Sequence, residues 1–215
     1  MAIRFIDYPD RKTWLANRYK SLGASEIAIV CGHSNFMTEE QLWKEKTLRS
    51  QHKEYEGNDR VDYGQEAEQY LRELFKLKHK SEYKMDYFPY RVYYNEERPY
   101  LTSTLDGLIT RLSDGKIGGY ECKSRYIDSK QALEEWKGQI PMKYYCQAIH
   151  QLYTAGLDFV VLNVELRFPD NNAEINEYMI SRDCRDAEID FIISKGDRFW
   201  QYVKTDKKPP LTIRL

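Results

Sequence analysis

The sequence predicts an α/β fold in which helices flank a central mixed β-sheet. Two strand-like segments lie on either side of the turn signal Asp114-Gly115, which predicts a hairpin. Residues 159–168 form a continuous apolar run typical of a buried strand. Residues 64–77 and 138–155 carry apolar side chains at spacings of three and four, which predicts two helices. Strands and helices that alternate along one chain are typical of α/β proteins.

The composition indicates a globular protein. The chain has 215 residues, of which 41% are hydrophobic, and this suits one domain over residues 1–215 with a sizeable core. No apolar run reaches membrane-spanning length and no signal-peptide pattern is present, so we expect a cytoplasmic protein. The four scattered cysteines form no Cys-x-x-Cys pair, which argues against zinc and iron–sulfur sites and predicts free thiols. With a net charge of −1, any contact with nucleic acid needs a local basic patch.

The N-terminal region suggests an anion site. Residues 14–19 are predicted to be helical, and Ser25 is expected to cap a short helix over Glu26 to Cys31. The first turn of a helix offers free backbone N–H groups to an anion, and Arg18 lies seven residues before Ser25. The alternative is an ordinary cap beside a surface arginine, and the local pattern alone favours it.

Two further helices are predicted before the hairpin. Thr38 to Gln41 is a capping-box pattern that begins a helix, residues 49–62 are charged and predict a loop, and residues 64–77 form a helix. Glu68 shares part of the apolar face of that helix, and a buried carboxylate needs a partner such as a metal-bound water or a lysine. The alternative is a partly exposed boundary glutamate.

The central segment brings together two carboxylates and a lysine. Residues 83–95 predict a strand, and residues 100–125 predict the two arms of the hairpin. Pairing of these arms would bring Asp106 near Glu121, and Lys123 shares a strand face with Glu121. Two carboxylates leave a cation such as Mg²⁺ with open positions for water and a phosphate oxygen, which suits phosphodiester hydrolysis. The alternative is a solvated hairpin with an ordinary Glu–Lys pair.

The remaining chain predicts three helices, two strands and a tail. Residues 125–137 predict a helix, and the helix over residues 138–155 carries a polar stripe that could be its solvated face or the lining of a phosphate cleft. Residues 174–181 predict a strand paired with 159–168, and residues 187–203 predict a closing amphipathic helix before an extended tail. The stripe includes Gln147 and His150, and the role of His150 stays open.

Four motifs in this order resemble the lambda-exonuclease and YqaJ-like viral recombinase family, the phage alkaline exonucleases of the PD-(D/E)xK superfamily. The first is Leu-Gly-Ala-Ser-Glu-Ile-Ala from Leu22, and the second is Gly64-x-x-x-Glu68. The third is Asp-Gly-Leu at Asp106 with Glu121-x-Lys123, and the fourth is Gln-x-x-x-Gln on the following helix. The resemblance covers about residues 14–166 and implies a single restriction-endonuclease-like domain, with residues 174–203 as a C-terminal strand and helix.

The resemblance also implies roles for individual residues. The implied metal ligands for Mg²⁺, with Mn²⁺ as a substitute, are Asp106, Glu121, the Cys122 carbonyl and Glu68. Lys123 resembles the residue that activates the attacking water. The implied ligands of a 5′-terminal phosphate are Arg18, Ser25, Thr104 and Gln147. Leu105 stands where the family usually has proline and Thr104 where serine is common, and neither change removes a metal ligand.

The function that the resemblance implies is 5′ to 3′ degradation of double-stranded DNA to mononucleotides, for recombination in a phage or prophage. It also implies a ring of three subunits and a single-strand annealing protein as partner. Lysines at positions 76, 78 and 80, or at 130, 137 and 143, could line such a ring. The alternatives are an endonuclease of the same fold and a non-catalytic subunit that binds DNA ends.

Overall fold

The chain folds into two β-sheets with helices packed around them, and the computed structural model describes residues 2–50 and 59–210. The helices are α1 (Arg11–Asn17), α2 (Ala24–Val30), α3 (Glu39–Lys46), α4 (Asp59–Lys78), α5 (Lys130–Glu134), α6 (Met142–Thr154) and α7 (Asp186–Lys204). The strands are β1 (Ile3–Asp7), β2 (Leu22–Gly23), β3 (Tyr83–Asp86), β4 (Arg91–Asn95), β5 (Leu101–Ser103), β6 (Gly107–Arg111), β7 (Ile117–Tyr126), β8 (Phe159–Arg167) and β9 (Ala173–Ser181). None of these helices combines the length and apolar character needed to cross a membrane.

The main sheet is mixed, as predicted. Its strand order is β3-β6-β7-β8-β9, in which β7 and β8 are parallel and the other pairs are antiparallel. The predicted hairpin is β6–β7, and its register pairs Gly107 with Tyr120 and Thr110 with Ile117. The strands predicted over residues 159–168 and 174–181 are β8 and β9, and they pair as expected.

Helices cover both faces of the main sheet, because successive apolar side chains of its central strands point alternately to one face and to the other. On β8, Val160, Leu162 and Val164 belong to the larger core, which includes residues of α2, α6 and α7. Phe159 and Val161 belong to a smaller core under α4. The side chains of successive strand residues point to opposite faces, so the apolar run of this strand is buried on both sides.

A second sheet was not predicted. Its strand order is β1-β4-β5-β2. The single strand predicted over residues 83–95 is wrong, because the segment divides into β3 in the main sheet and β4 in the second sheet. The chain turns between them at Tyr90, whose φ is 61°. The first arm of the predicted hairpin divides in the same way into β5 and β6, and Asp106 lies in the link between the two sheets.

Several predicted boundaries are also wrong. The predicted loop 49–62 is partly helical, because α4 begins at Asp59, while residues 51–58 lie outside the described residues. Ser25 does not cap α2: the helix begins at Ala24, and the backbone N–H of Gly23 donates to Glu26. The helix predicted over residues 125–137 is limited to α5, because β7 continues to Tyr126. The first predicted helix is α1 followed by a 3₁₀ turn.

Candidate active site

The predicted carboxylates meet where the two sheets join. Asp106 precedes β6, and Glu121 and Lys123 lie on β7. The backbone N–H of Cys122 donates to the carboxylate of Asp106 at 2.9 Å, which fixes Asp106 against β7. The hairpin therefore brings Asp106, Glu121 and Lys123 together, as the sequence predicted.

The carboxylate of Glu121 is buried, and both of its oxygens accept hydrogen bonds. Its Oε1 accepts hydrogen bonds from Lys123 Nζ and, at 2.5 Å, from Gln147 Nε2. Its Oε2 accepts from Gln151 Nε2 at 2.6 Å. Gln147 and Gln151 are neighbours at a spacing of four on α6. Gln147 and Gln151 of the polar stripe therefore face the carboxylate of Glu121 and not the solvent, which excludes the solvated-face interpretation for these two residues.

Burial and the neighbouring carboxylate of Glu121 oppose the ionisation of Asp106. Burial first, and then the nearby Glu121, raise the pKa of Asp106 to about 8. Burial alone would lower the pKa of Lys123, but the carboxylates of Glu121 and Asp106 outweigh it and raise that pKa. The lysine is therefore held as a cation beside the acidic pair.

This acidic pair fits a hard divalent cation. Two adjacent buried carboxylates are costly to charge together, and a bound cation relieves both repulsion and desolvation. Within residues 2–50 and 59–210, no group of three or more His, Cys, Asp or Glu side chains is placed to hold a metal. A metal here would thus rest on Asp106 and Glu121, with water, backbone or phosphate oxygens completing its coordination.

The side chain of Cys122 lies on the strand face opposite to Glu121. Its side chain belongs to the smaller core under α4, and its Sγ lies 3.6 Å from Asp106 Oδ2. All four cysteines are free, as predicted.

Glu68 reaches the same region from α4 and has a partner that the sequence analysis missed. Its Oε1 lies 3.3 Å from Arg72 Nη1. Arg72 is buried, donates to the backbone carbonyl of Asp106 at 3.0 Å, and lies 3.6 Å from the ring centroid of Tyr87. The spacing of four between Glu68 and Arg72 was the available signal for this pair.

The four predicted phosphate ligands border one cleft, here called the first cleft, of about 200 Å³. Arg18 Nη2 lies 3.5 Å from Ser25 Oγ and 3.5 Å from Glu26 Oε1. The cleft is shared with the acidic pair, and its polar lining includes Arg18, Ser25, Thr104, Asp106, Glu121, Lys123 and Gln147.

A buried ion pair supports the wall of the first cleft. Lys46 Nζ donates to both carboxylate oxygens of Glu26, at 2.9 and 2.7 Å, and to the backbone carbonyl of Arg18 at 2.9 Å. Glu26 also accepts from the N–H of Gly23 at 2.8 Å. These bonds tie the turn that carries Arg18 to the beginning of α2. Neither residue was singled out from the sequence, although Glu26 occupies the third position of a helix that it caps.

A second cleft of about 380 Å³ lies on the other side of Asp106 and Lys123. It runs between the first turns of α4 and the end of β7. Its charged and aromatic lining is Arg60, Glu68, Asp106, Lys123, Arg125, Tyr126, Asp128, Tyr144 and Arg167. Asp106 and Lys123 therefore stand at the junction of two clefts.

His150 borders neither cleft. It is completely buried, and its Nε2 lies 3.1 Å from the carbonyl oxygen of Thr102. Burial lowers its pKa to about 4, so the imidazole is neutral at pH 7. Its contact links α6 to β5, which is a structural role.

The fold is that of the alkaline exonucleases. The structure superposes on the alkaline exonuclease LHK-Exo of Laribacter hongkongensis with a TM-score of 0.67 at 18% identity, over 91% of this chain and 93% of that one. The same exonuclease in complex with dAMP gives a TM-score of 0.69. A phage related exonuclease from Haemophilus somnus 129PT gives 0.56 at 13% identity, over 86% of this chain and 96% of that one.

The chain belongs to the YqaJ-like viral recombinase domain family, whose sequence profile matches residues 13–158. A curated relative, the uncharacterized protein YqaJ of Bacillus subtilis (strain 168), is 25% identical over 191 residues, which are 88% of this chain and 55% of the relative. The chain thus spans about half the length of the curated relative that it matches. The resemblance identified from the sequence motifs is confirmed at the level of the family.

Proposed function

We propose that this chain is a divalent-metal-dependent exonuclease that degrades double-stranded DNA from the 5′ end to mononucleotides. It would leave 3′ single-stranded tails for phage-type recombination. The observation that carries the proposal is that the acidic pair and the four expected phosphate ligands border one cleft. A terminal phosphate held by Arg18 would place a nearby phosphodiester bond at Asp106 and Glu121.

Asp106 and Glu121 would hold the metal, Mg²⁺ or in its place Mn²⁺, with the Cys122 carbonyl and Glu68 completing the site directly or through water. When bound, such a metal polarises the phosphate and lowers the pKa of a bound water. Gln147 and Gln151 keep the Glu121 carboxylate in one orientation through hydrogen bonds to both of its oxygens.

Lys123 would act on the attacking water and on the phosphate. Its ammonium group lies against Glu121 and borders both clefts. From there it can orient and help to activate the attacking water, and it can offset the charge that develops on the phosphate.

Arg18, Ser25, Thr104 and Gln147 would bind the 5′-terminal phosphate, which would determine the polarity of degradation. A guanidinium group and hydroxyl donors suit a phosphate dianion. The related LHK-Exo has been crystallised with dAMP, a mononucleotide like those that we expect as products.

Two other functions use the same fold. An endonuclease would share the acidic pair but would also cut closed circular DNA. A non-catalytic subunit would bind DNA ends without releasing product. The cleft favours the exonuclease, because a pocket for a terminal phosphate serves an enzyme that acts on ends. A trimeric ring, a single-strand annealing partner and a cytoplasmic location in the host cell are further parts of the proposal.

We expect Arg18→Met to abolish the preference for 5′-phosphorylated ends. Losing a charge-assisted hydrogen bond to phosphate should lower kcat/KM on such ends by about 10- to 100-fold, whereas kcat/KM on 5′-hydroxyl ends should change little. The measurement is the rate of mononucleotide release from the two duplexes, which differ only in that phosphate.

Lys20→Met is the matched control, because Lys20 is an exposed cation of the same 3₁₀ turn that does not border the cleft. Its preference should equal that of the wild-type protein. Equal cutting of both ends by the wild-type protein, or an unchanged preference in Arg18→Met, would refute the phosphate pocket.

A further inference from the structure

The second cleft contains an arginine for which the proposed chemistry gives no role. Arg125 lies on β7 two residues after Lys123, so the two side chains share one face of the strand. It borders the second cleft together with Asp106 and Lys123. The role of this arginine depends on what else in the cleft balances its charge.

Arg125 has no partner among residues 2–50 and 59–210. Its Nε atom is buried and makes no hydrogen bond, and its guanidinium forms no ion pair within those ranges. A buried donor without an acceptor is costly, and such groups in native proteins commonly meet a ligand or an ion.

The other arginines of the cleft already have acidic neighbours. Arg167 donates to Ser124 Oγ at 3.0 Å and lies 3.8 Å from Glu165 Oε2. Arg60 lies 3.3 Å from Asp128. Among the described residues that line the cleft, the positive charge without an acidic partner is therefore that of Arg125, which suits an anionic ligand.

We propose that Arg125 binds the phosphodiester that follows the scissile one on the 3′ side of the cleaved strand. This inference rests on the proposed function. With the terminal nucleotide in the first cleft and the scissile phosphate at Asp106 and Lys123, the rest of the strand must leave through the second cleft. Residues two apart on a strand are about 7 Å apart, a distance comparable with that between neighbouring phosphates of a nucleic-acid strand. The step from Lys123 to Arg125 thus matches one nucleotide.

The walls of the second cleft suit a nucleic-acid strand for a second reason. Tyr126 and Tyr144 border it beside Arg125. Aromatic rings next to cations are a common arrangement for single-stranded nucleic acid, because bases stack on the rings while the cations hold phosphates. Within the proposed function, the ligand of this cleft is therefore the DNA strand that follows the terminal nucleotide.

The test combines a protein variant with a substrate variant. Arg125→Met should lower kcat/KM on a 5′-phosphorylated duplex by about 10- to 100-fold. A single uncharged methylphosphonate at the second phosphodiester from the 5′ end should lower wild-type kcat/KM to a similar extent. The same methylphosphonate should not lower the kcat/KM of Arg125→Met further. The phosphate charge that it removes no longer has Arg125 as its partner in that variant. Methylphosphonates at the third and fourth positions should affect both proteins equally.

Two further variants separate binding from folding. Arg125→Lys should recover part of the loss, since it keeps the charge but not the planar guanidinium. Arg111→Met, at the opposite end of the hairpin, should behave as the wild-type protein does. Thermal melting establishes that each variant is folded.

The inference is overturned if Arg125→Met cleaves as fast as the wild-type protein, or if both proteins lose the same factor with the methylphosphonate at the second position. The proposed function fails in a different way, through absence of 5′-end degradation by the wild-type protein itself. In that case the salt dependence of duplex binding still tests Arg125. In a plot of the logarithm of the binding constant against the logarithm of the salt concentration, removing one phosphate contact should make the negative slope shallower by about one. An unchanged slope would refute the contact.

Discussion

Replacing Asp106 with Asn should lower the rate of DNA hydrolysis about a thousandfold while making the metal-free protein more stable. The loss of rate is expected because the carboxylate pair is the proposed metal site. The gain in stability at pH 7 follows from the raised pKa of Asp106, because the unfolded chain carries this carboxylate as an anion, whereas the folded protein must take up a proton or bury the charge beside Glu121. Asparagine removes the charge and retains an acceptor for the N–H of Cys122.

Two measurements on aliquots of the same preparations check this prediction: urea unfolding of the metal-free protein, and the rate of DNA hydrolysis after Mg²⁺ is added. We expect the free energy of unfolding to rise by about 1–4 kcal/mol. Asp114→Asn is the matched control, since this aspartate of the same hairpin pairs with Arg111, which holds its pKa down to about 2. That variant should keep full activity and gain no stability. If Asp106→Asn keeps its activity, Asp106 is not a metal ligand.

Replacing Lys46 with Met should lower the free energy of unfolding by about 3–5 kcal/mol. The side chain of Lys46 is 2% exposed, and its ammonium group compensates the charge of Glu26. Removing the lysine leaves a largely buried carboxylate without its main cation. The same change releases the carbonyl of Arg18, so the 5′-phosphate preference should weaken as well.

A double-mutant cycle isolates this ion pair. Glu26→Gln added to Lys46→Met should restore part of the lost stability, because glutamine can still accept from Gly23 without a net charge. Lys44→Met is the control, as Lys44 is exposed and pairs with Glu40 at a spacing of four. It should cost less than about 0.5 kcal/mol. Additive effects in the cycle would show that Lys46 and Glu26 do not act as a pair.

Local patterns predicted the hairpin and the residues on its faces. Asp114-Gly115 specified the turn, and the two-residue period of a strand placed Glu121 and Lys123 together. The division of residues 83–95 and 100–111 between two sheets was not predictable in this way. Strand propensity does not say which neighbour a strand pairs with, and Tyr90 and Asp106 lie where the chain passes from one sheet to the other.

The supporting residues of the site depend on tertiary contacts. Lys46 meets Glu26 across 20 positions of sequence, and Gln151 meets Glu121 across 30. Neither pair leaves a periodic signal in a single sequence. Arg72 is different, since its spacing of four from Glu68 was visible, but its contact with the carbonyl of Asp106 was not.

The most direct test of the central claim is one digestion with Mg²⁺ of two substrates. The first is a linear duplex with 5′-phosphate ends, labelled at one 5′ or 3′ terminus, and the second is a closed circular plasmid. We expect early release of the 5′ label as a mononucleotide, late release of the 3′ label and an intact circle. Cutting of the circle would contradict the account in favour of an endonuclease. Binding of duplex ends without product, in Mg²⁺ and in Mn²⁺, would contradict it in favour of a non-catalytic subunit.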